Sequence, residues 1–369
     1  MYSQTELDEA VAAGAISADA ADALRAYVER QRSTTVPDEE QFRLITGFND
    51  IFVSIAAAIL LFAMGWIGQQ IGQSTGLQIE SDGPSPVGPA LIAASAWGLA
   101  LFFTAKRRMA LPSILLLLAF LGGVVATTAF SLMLAVGPER FNDNEALSGT
   151  VAAVAAAVGA AAAWLHWRQF RVPITVAAGA AAVAGIAVAL LVAALGDNVE
   201  NMRDLILGFV LMLGIGMFLF AMWWDGSDRE RITRRADVAF WLHLLAAPMI
   251  VHPVFTLLGL NDGNATIGEG FVVILLYVVL GITALAIDRR ALLVSALAYV
   301  LFALQAMFRE FGAVELNVAL TALVIGSALL LLSAFWHQAR AAIVQPLPDG
   351  LRERLPVLNR AAFIPQPAA

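Results

Sequence analysis

The sequence predicts an all-α fold, a polytopic transmembrane helical bundle of about ten spans with a small N-terminal cytoplasmic helical hairpin. The chain is 60% hydrophobic and 14% charged and has a mean hydropathy of +0.78. A soluble domain is about half apolar and about a quarter charged. The apolar residues also fall into runs long enough to cross a bilayer, which takes about 20 residues. Basic residues occur mainly in every second loop.

Ten mostly apolar runs are candidate spans. They cover 51–71, 88–104, 112–136, 148–166, 172–195, 205–224, 238–260, 270–287, 291–311 and 316–336. Some neighbouring runs are separated only by a short charged turn, as at Arg289 and Arg290. Burying those charges in hydrocarbon is costly, so we do not merge neighbouring runs. The predicted count is therefore ten.

The distribution of basic residues predicts the orientation, because short loops rich in Lys and Arg stay in the cytoplasm. Even-numbered loops and both tails hold 19 of the 22 basic residues. They are Lys106, Arg107, Arg108, Arg168, Arg171, Arg229, Arg231, Arg234, Arg235, Arg289 and Arg290 in loops, and Arg25, Arg30, Arg32, Arg43, Arg340, Arg352, Arg354 and Arg360 in tails. The other side has Arg140, Arg203 and Arg309. We expect a multi-pass protein of the bacterial inner membrane with both termini in the cytoplasm.

Residues 1–36 are predicted to form a cytoplasmic helical hairpin and linker. Ser3 and Glu6 have the spacing of a capping box, Gly14 is suited to end a first helix, and Ser17 is suited to cap a second. The predicted domains are therefore 1–36, a transmembrane domain at 37–336, and a Pro-rich cytoplasmic tail at 337–369 that is loosely ordered or lies on the membrane surface.

The segment LDEAVAAGAISADAADALRAYVERQR, residues 6–32, precedes a linker and a series of short-looped spans. In this it resembles bacterial membrane proteins grouped as domain of unknown function 2157, which also begin with a helix, a glycine, an Ile-Ser pair and a second helix. The resemblance implies a membrane protein with an N-terminal hairpin. It implies no activity, because the family has none to carry over.

The seventh predicted span carries two histidines and two prolines, and it is the first candidate for a polar pathway. Pro248 and Pro253 each remove a backbone donor, which predicts a kink or break within the membrane. Carriers build binding sites at broken helices, so His243 and His252 are candidate pathway residues. Alternatively, each histidine donates to a backbone carbonyl of a neighbouring span and only packs. Their nine-residue separation argues against a shared metal site.

Other polar residues lie at the edges of predicted spans. Gln305, Arg309 and Glu310 near the outer end of the ninth span complete a candidate pocket with His252, or Arg309 and Glu310 simply extend to the headgroups. Asp50 at the start of the first span is interpreted as a helix N-cap, with a cytoplasmic gate as the alternative. Ala181, Gly185, Ala189 and Ala193 form a ridge of small residues, which predicts that the fourth and fifth spans form a packed centre.

The sequence excludes several kinds of chemistry. The absence of cysteine excludes disulfides and thiolate metal sites, and no phosphate loop, HExxH or GxSxG motif occurs. We therefore expect no enzyme activity, no cofactor, no metal site and no nucleic acid partner. Two functions stay open: a carrier or permease-like protein for a small molecule, and a non-transporting membrane scaffold or sensor. In the second, residues 1–36 recruit a protein partner or self-associate.

Overall fold

A computed structural model describes residues 10–24, 48–81, 83–141, 144–196, 201–229, 231, 233–259, 267–290, 293, 297, 300, 301 and 317–358. Over these residues the fold is all-α, without strands. The chain divides into two compact units. One is Arg43–Pro356, and the other combines Met1–Phe42 with Val357–Ala369.

Within the smaller unit, residues 10–12 and 18–24 are helical. Gly14 has a φ of +70°, and its amide donates to the Val11 carbonyl at 3.0 Å, which ends the first helical segment as predicted. The Ser17 hydroxyl accepts the Ala20 amide at 3.2 Å, so Ser17 caps the second segment. The rest of the predicted hairpin lies outside the described residues, so the hairpin stays a prediction.

The larger unit consists of eleven labelled α-helices in its described part. They are α1 (Phe48–Ser74), α2 (Val87–Phe103), α3 (Ala110–Val136), α4 (Glu145–Phe170), α5 (Ile174–Leu195), α6 (Met202–Gly226), α7 (Arg234–Leu257), α8 (Ile267–Ile287), α9 (Asn317–Ala334), α10 (Trp336–Val344) and α11 (Asp349–Arg352). A short 3₁₀ turn at Pro138–Phe141 precedes α4. Helices α1 to α9 coincide with nine of the ten predicted spans, and most of the ninth predicted span, 291–311, lies outside the described residues.

Six helices are long and apolar enough to cross a membrane, judged by length and composition: α1, α3, α4, α5, α6 and α7. A seventh candidate combines α9 with α10, which are bent by 73° at Phe335. Helix α2 and the apolar part of α8 are shorter. The structure therefore has six to seven candidate spans over the described residues, against ten predicted.

The helices pack so that the basic loops lie together at one end. One cluster joins Ala100 near the end of α2, Leu116 near the start of α3 and Phe170 at the end of α4. A second joins Ala177 near the start of α5 with Ala221 near the end of α6, and also contains Trp167, Val238 and Leu242. The connections at 104–109, 171–173 and 227–233 are therefore on the same side. We call this side the basic end.

Small residues let α4 and α5 approach closely, as the ridge predicted. A Cβ added at Gly149 would lie 2.7 Å from the Ala189 carbonyl oxygen and 2.5 Å from the Ala193 nitrogen. The prediction that these two helices form the centre of the bundle is wrong, however. Half of the apolar stretch of α7 is buried (50%), against 33% in α4 and 17% in α5. Small side chains bring this pair together but extend too little to cover its outer faces.

Helix α7 is continuous from Arg234 to Leu257 and contains both prolines, so the predicted break at this helix is wrong, and a kink there stays a prediction. The backbone of α6 packs against α7 next to Pro248: a Cβ added at Gly214 would lie 2.8 Å from the carbonyl carbon of Met249 and 2.9 Å from its oxygen. Close packing of a neighbouring helix holds the backbone in helical form where a hydrogen bond is missing. The sharp change of direction is instead between α9 and α10.

Helix α10 belongs to the segment predicted to be a loosely ordered or surface-lying tail. Its side chains Trp336, Arg340 and Val344 are buried at four-residue intervals and so share one helical face. This part of the tail is therefore ordered. It is bent by 73° relative to α9.

Candidate functional site

The site is a buried group of charged side chains at the basic end, centred on Asp225. This residue is in the last turn of α6, and its side chain is 1% exposed. The following loop is fixed by Asp228, whose carboxylate accepts from the Thr233 amide at 2.9 Å and the Thr233 hydroxyl at 2.7 Å. Thr233 in turn caps α7. The chain therefore returns tightly from α6 to α7, with Asp225 facing inward.

Arg289 makes the shortest contacts with Asp225. Its Nη2 donates to Oδ1 at 2.6 Å and its Nε to Oδ2 at 3.2 Å, so the pair is bidentate. The same Nη2 donates to the Ala236 carbonyl of α7 at 3.1 Å. Asp288 has a φ of +56°, and the Arg289 amide donates to the Ala284 carbonyl at 2.8 Å. This left-handed turn ends α8 and directs Arg289 toward α6 and α7.

Arg231, from the loop between α6 and α7, bridges the two aspartates. Its Nη2 donates to Asp225 Oδ2 at 3.3 Å and to the Ile287 carbonyl at 2.8 Å. Its Nη1 donates to Asp288 Oδ2 at 3.1 Å and to the Asp288 carbonyl at 3.0 Å. The last two acceptors are at the C-terminal end of α8, where the helix dipole favours a cation.

Helix α10 joins this group through Asp288. The Trp336 indole donates to Asp288 Oδ1 at 2.8 Å, and Arg340 Nε lies 3.8 Å from the same oxygen. Arg340 Nη2 also donates to the Pro356 carbonyl at 2.7 Å. The Arg290 guanidinium carbon lies 4.8 Å from the centre of the Trp336 ring, which is a cation–π distance. We call Asp225, Arg231, Asp288, Arg289, Trp336 and Arg340 the charge cluster.

His243 lies below the charge cluster on α7 and is fully buried. Its Nε2 is 3.7 Å from Asp225 Oδ2, which is too long for a hydrogen bond, and the Phe218 ring packs edge-on against it at 5.3 Å. Neither ring nitrogen has a hydrogen-bond partner among the described residues. The alternative prediction, a histidine bonded to a backbone carbonyl, is therefore not what the structure has at His243. A buried polar group without a partner calls for a functional or structural explanation.

The other predicted site residues are not brought together with His243. His252 is on an exposed part of the α7 surface, so the two histidines do not share a site. Asp50 is 3% exposed and is the third residue of α1, inside the first turn and not at its N-cap. Its carbonyl accepts from the Ser54 hydroxyl at 2.7 Å. Gln305, Arg309 and Glu310 lie outside the described residues, so the pocket predicted from them stays a prediction.

Sequence reasoning missed Asp225 and Asp288 and counted Arg231 and Arg289 only as loop charges. One signal could have found them. Both aspartates directly end predicted spans on the basic side, in WWDGSDRE and AIDRR, although acidic residues dominate the loops of the opposite side. An acidic residue at such a position among arginines indicates that it forms an ion pair with one of them, because it does not fit the charge pattern that sets the orientation of the chain. Which arginine pairs with it depends on the packing of helices distant in sequence.

A second buried histidine was also missed. His166 near the end of α4 is fully buried, and its Nδ1 lies 3.2 Å from the Thr175 hydroxyl of α5. Its ring centre is 4.5 Å from that of Phe170 and 6.1 Å from that of Trp97. This histidine lies among aromatic rings and not among charges, which indicates packing between α2, α4 and α5.

At the opposite end from the charge cluster, a groove of about 590 Å³ opens where α4 begins, α5 ends and α6 begins. Glu145 and Arg203 line it together with apolar side chains, among them Val192 and Ile206. Residues of both charges therefore flank a recess at this end.

Comparison with family models, curated proteins and solved structures finds no match to this chain. The fold and the charge cluster therefore carry the functional argument by themselves, and the likeness to domain of unknown function 2157 stays a prediction.

Proposed function

We propose that this chain is a ten-span protein of the bacterial inner membrane, with both termini in the cytoplasm, that carries a small molecule across the bilayer. In this proposal the charge cluster closes the cytoplasmic end of the substrate path. The observation that carries the proposal is the buried pairing of Asp225 with Arg231 and Arg289 directly above His243.

The packing of the helices supports the topological part. The loops that hold the basic residues lie at one end of the larger unit, as the positive-inside rule requires of cytoplasmic loops. The charge cluster adds Asp288 and Arg289, from the connection after α8, to that same end. If the chain crossed the membrane an odd number of additional times between α2 and α8, the connection after α8 would lie on the opposite side from the loop after α2.

Energetics support a gate better than a purely structural role for the charge cluster. Removing Asp225, Arg231 and Arg289 from water costs several kcal/mol per ion, and pairing typically does no more than offset this cost. Apolar residues would hold three helix ends together at least as well. The charge cluster is therefore better explained as a set of ion pairs that exchange partners or become hydrated when the cytoplasmic end of the protein opens.

The depth of His243 supports a path rather than a surface switch. It is five residues into the predicted span 238–260, which corresponds to about 7 to 8 Å along the helix axis at about 1.5 Å per residue. Ionisable groups at such depth usually mark ion or substrate pathways. The groove between α4, α5 and α6 offers a recess on the other side.

Site-directed thiol labelling tests this proposal, because the chain has no native cysteine. Ala246 is fully buried near the middle of α7, and Ala247 is an equally buried second position. A carrier that alternates between two open states should expose an Ala246→Cys or Ala247→Cys thiol to a small impermeant reagent from each side of the membrane. Right-side-out and inside-out vesicles provide the two sides. Ala96→Cys, also fully buried but in α2, is the matched control.

Asp225→Asn should weaken the cluster and increase labelling of Ala246→Cys from the cytoplasmic side. Reconstituted protein should also show saturable flux for at least one solute of a screened panel. If Ala246→Cys and Ala247→Cys stay unlabelled from both sides in both backgrounds, the carrier proposal is wrong. The scaffold or sensor alternative, with residues 1–36 as the docking element, would then be favoured.

A further inference from the structure

The contacts of Asp225 raise the question of what replaces an arginine when the cluster opens. Oδ1 accepts from Arg289 alone, whereas Oδ2 accepts from Arg289 Nε at 3.2 Å and from Arg231 Nη2 at 3.3 Å. His243 Nε2 faces the same Oδ2 at 3.7 Å. Arg231 and His243 therefore approach one oxygen atom.

We propose that His243 is a proton-binding site and that its protonated ring replaces Arg231 on Asp225 Oδ2 when the cytoplasmic end opens. This inference rests on the proposed function and names a proton as the coupling ion. Nε2 takes one proton from cytoplasmic water and then donates it in a hydrogen bond to Oδ2. Arg231 leaves with its own charge, so Asp225 keeps two cationic partners, Arg289 and the imidazolium of His243.

Geometry favours Arg231 as the residue that leaves. Its one contact with Asp225 is the longest of the three at 3.3 Å, and its other hydrogen bonds go to Ile287 and Asp288. Arg289, in contrast, holds Asp225 in a bidentate pair and is also bonded to α7. Arg231 can move without breaking a helix. A move of less than 1 Å by His243 then brings Nε2 into hydrogen-bond range of Oδ2, since about 2.7 to 3.2 Å is needed.

Charge explains why the two partners exclude each other. In the closed cluster Asp225 already has two guanidinium groups, and a third cation at His243 would be repelled by both. The charged groups around His243 in the described structure are Asp225 on α6, Arg231 in the α6–α7 loop and Arg289 after α8. Asp237, on the same helix as His243, interacts with Arg289. His243 therefore takes up a proton only in the state in which Arg231 no longer contacts Asp225.

The direction of the pH effect follows from this linkage. The open state binds one more proton than the closed state, so lower pH favours opening. For one proton the ratio of open to closed protein changes by at most about tenfold per unit of pH. In the closed state the fully buried His243 holds no added proton, so a higher pH favours that state.

The test uses the full chain in nanodiscs and the Ala246→Cys reporter at pH 8, 7, 6 and 5.5. Thiol reagents attack the thiolate, so every rate is divided by that of Ser227→Cys, which is exposed at the basic end. The corrected rate should rise several-fold as the pH falls, and His243→Gln should abolish the rise. His166→Gln, the same change at the other fully buried histidine, should keep it.

Three outcomes separate the two proposals. A rise that His243→Gln removes and His166→Gln keeps supports the proton site. A corrected rate that does not change with pH, while Asp225→Asn still increases labelling, overturns the proton site and leaves the carrier standing. No labelling in any background overturns both. Because Gln can occupy the position without titrating, a folded His243→Gln protein with an unchanged pH response also contradicts the proposal.

Discussion

Arg289 and Asp225 are 64 residues apart in the chain and form a bidentate ion pair in which both side chains are almost fully buried. Through this pair the connection after α8 is attached to the end of α6. Arg289 also donates to the Ala236 carbonyl of α7, so one side chain joins three helices. The neighbouring Arg290 instead lies on the Trp336 ring.

This contrast between adjacent arginines gives a stability prediction. Arg289→Gln leaves Asp225 short of its main partner in a buried site, and we expect a loss of roughly 3–5 kcal/mol in unfolding free energy. Arg290→Gln, the same change one residue later, should cost only about 0.5–1 kcal/mol because it loses a cation–π contact. Denaturant unfolding of the purified protein in detergent measures both. Equal losses would contradict the central role of Arg289.

The approach of α6 to α7 gives a second pair of variants. Gly214→Ala would place a Cβ 2.8 Å from the Met249 backbone, and such overpacking typically costs about 1–3 kcal/mol. Gly216→Ala has no atom within 4 Å of the added Cβ and should be neutral or slightly stabilising. Thermal unfolding of the two variants compares them directly. An unchanged melting temperature for Gly214→Ala would show that α6 and α7 are less closely packed than described.

One indole hydrogen bond contributes to the attachment of α10 at the charge cluster. Trp336→Phe removes the donor to Asp288 and should loosen α10, because a hydrogen bond to a charged group contributes about 1.5–3 kcal/mol. Arg340 is 2% exposed, so trypsin should cut after it slowly in the native protein and faster in Trp336→Phe. Trp223→Phe, at a residue 67% exposed, is the control. Cleavage at the same rate in all three proteins would argue against this attachment.

The topology can be tested with single cysteines in the cysteine-free chain. We expect thiols placed at Ser81, Asn142, Asn198 and Gly263 to react with an impermeant reagent from outside, and thiols placed at Arg108, Gln169, Ser227 and Arg290 to react only from the cytoplasmic side. The motivation is the 19 to 3 distribution of basic residues. Two successive positions that react from the same side would contradict the ten-span topology.

The role of the N-terminal segment can be tested by deletion. Removing residues 1–36 should leave insertion and the melting temperature of the remaining chain nearly unchanged, because a polar linker separates this segment from the first span. Any self-association measured by analytical ultracentrifugation should weaken. Loss of the folded membrane part after this deletion would show that the segment belongs to the membrane fold.

Helix positions were predictable from the sequence because they depend on local properties. A run of apolar residues of sufficient length forms a helix wherever lipid or other apolar residues surround it, so nine predicted runs agree with α1 to α9. The signals at Gly14 and Ser17 are equally local and are confirmed. The break predicted at Pro248 and Pro253 is wrong for a non-local reason, since it depends on how α6 packs against that part of α7.

The sequence by itself therefore determined the helical class, the positions of the described helices and the separation of basic from acidic loops, all of which follow from hydrophobicity and charge along short stretches. Only the tertiary structure decided which basic residues are loop charges and which are buried partners. Asp225 and Arg231 are six residues apart, whereas Arg289 is 64 residues beyond Asp225. Their charges become an ion-pair cluster only because α6 and α8 end, and α7 begins, at the same place. Pairing of this kind depends on distances between helices, which no local pattern encodes.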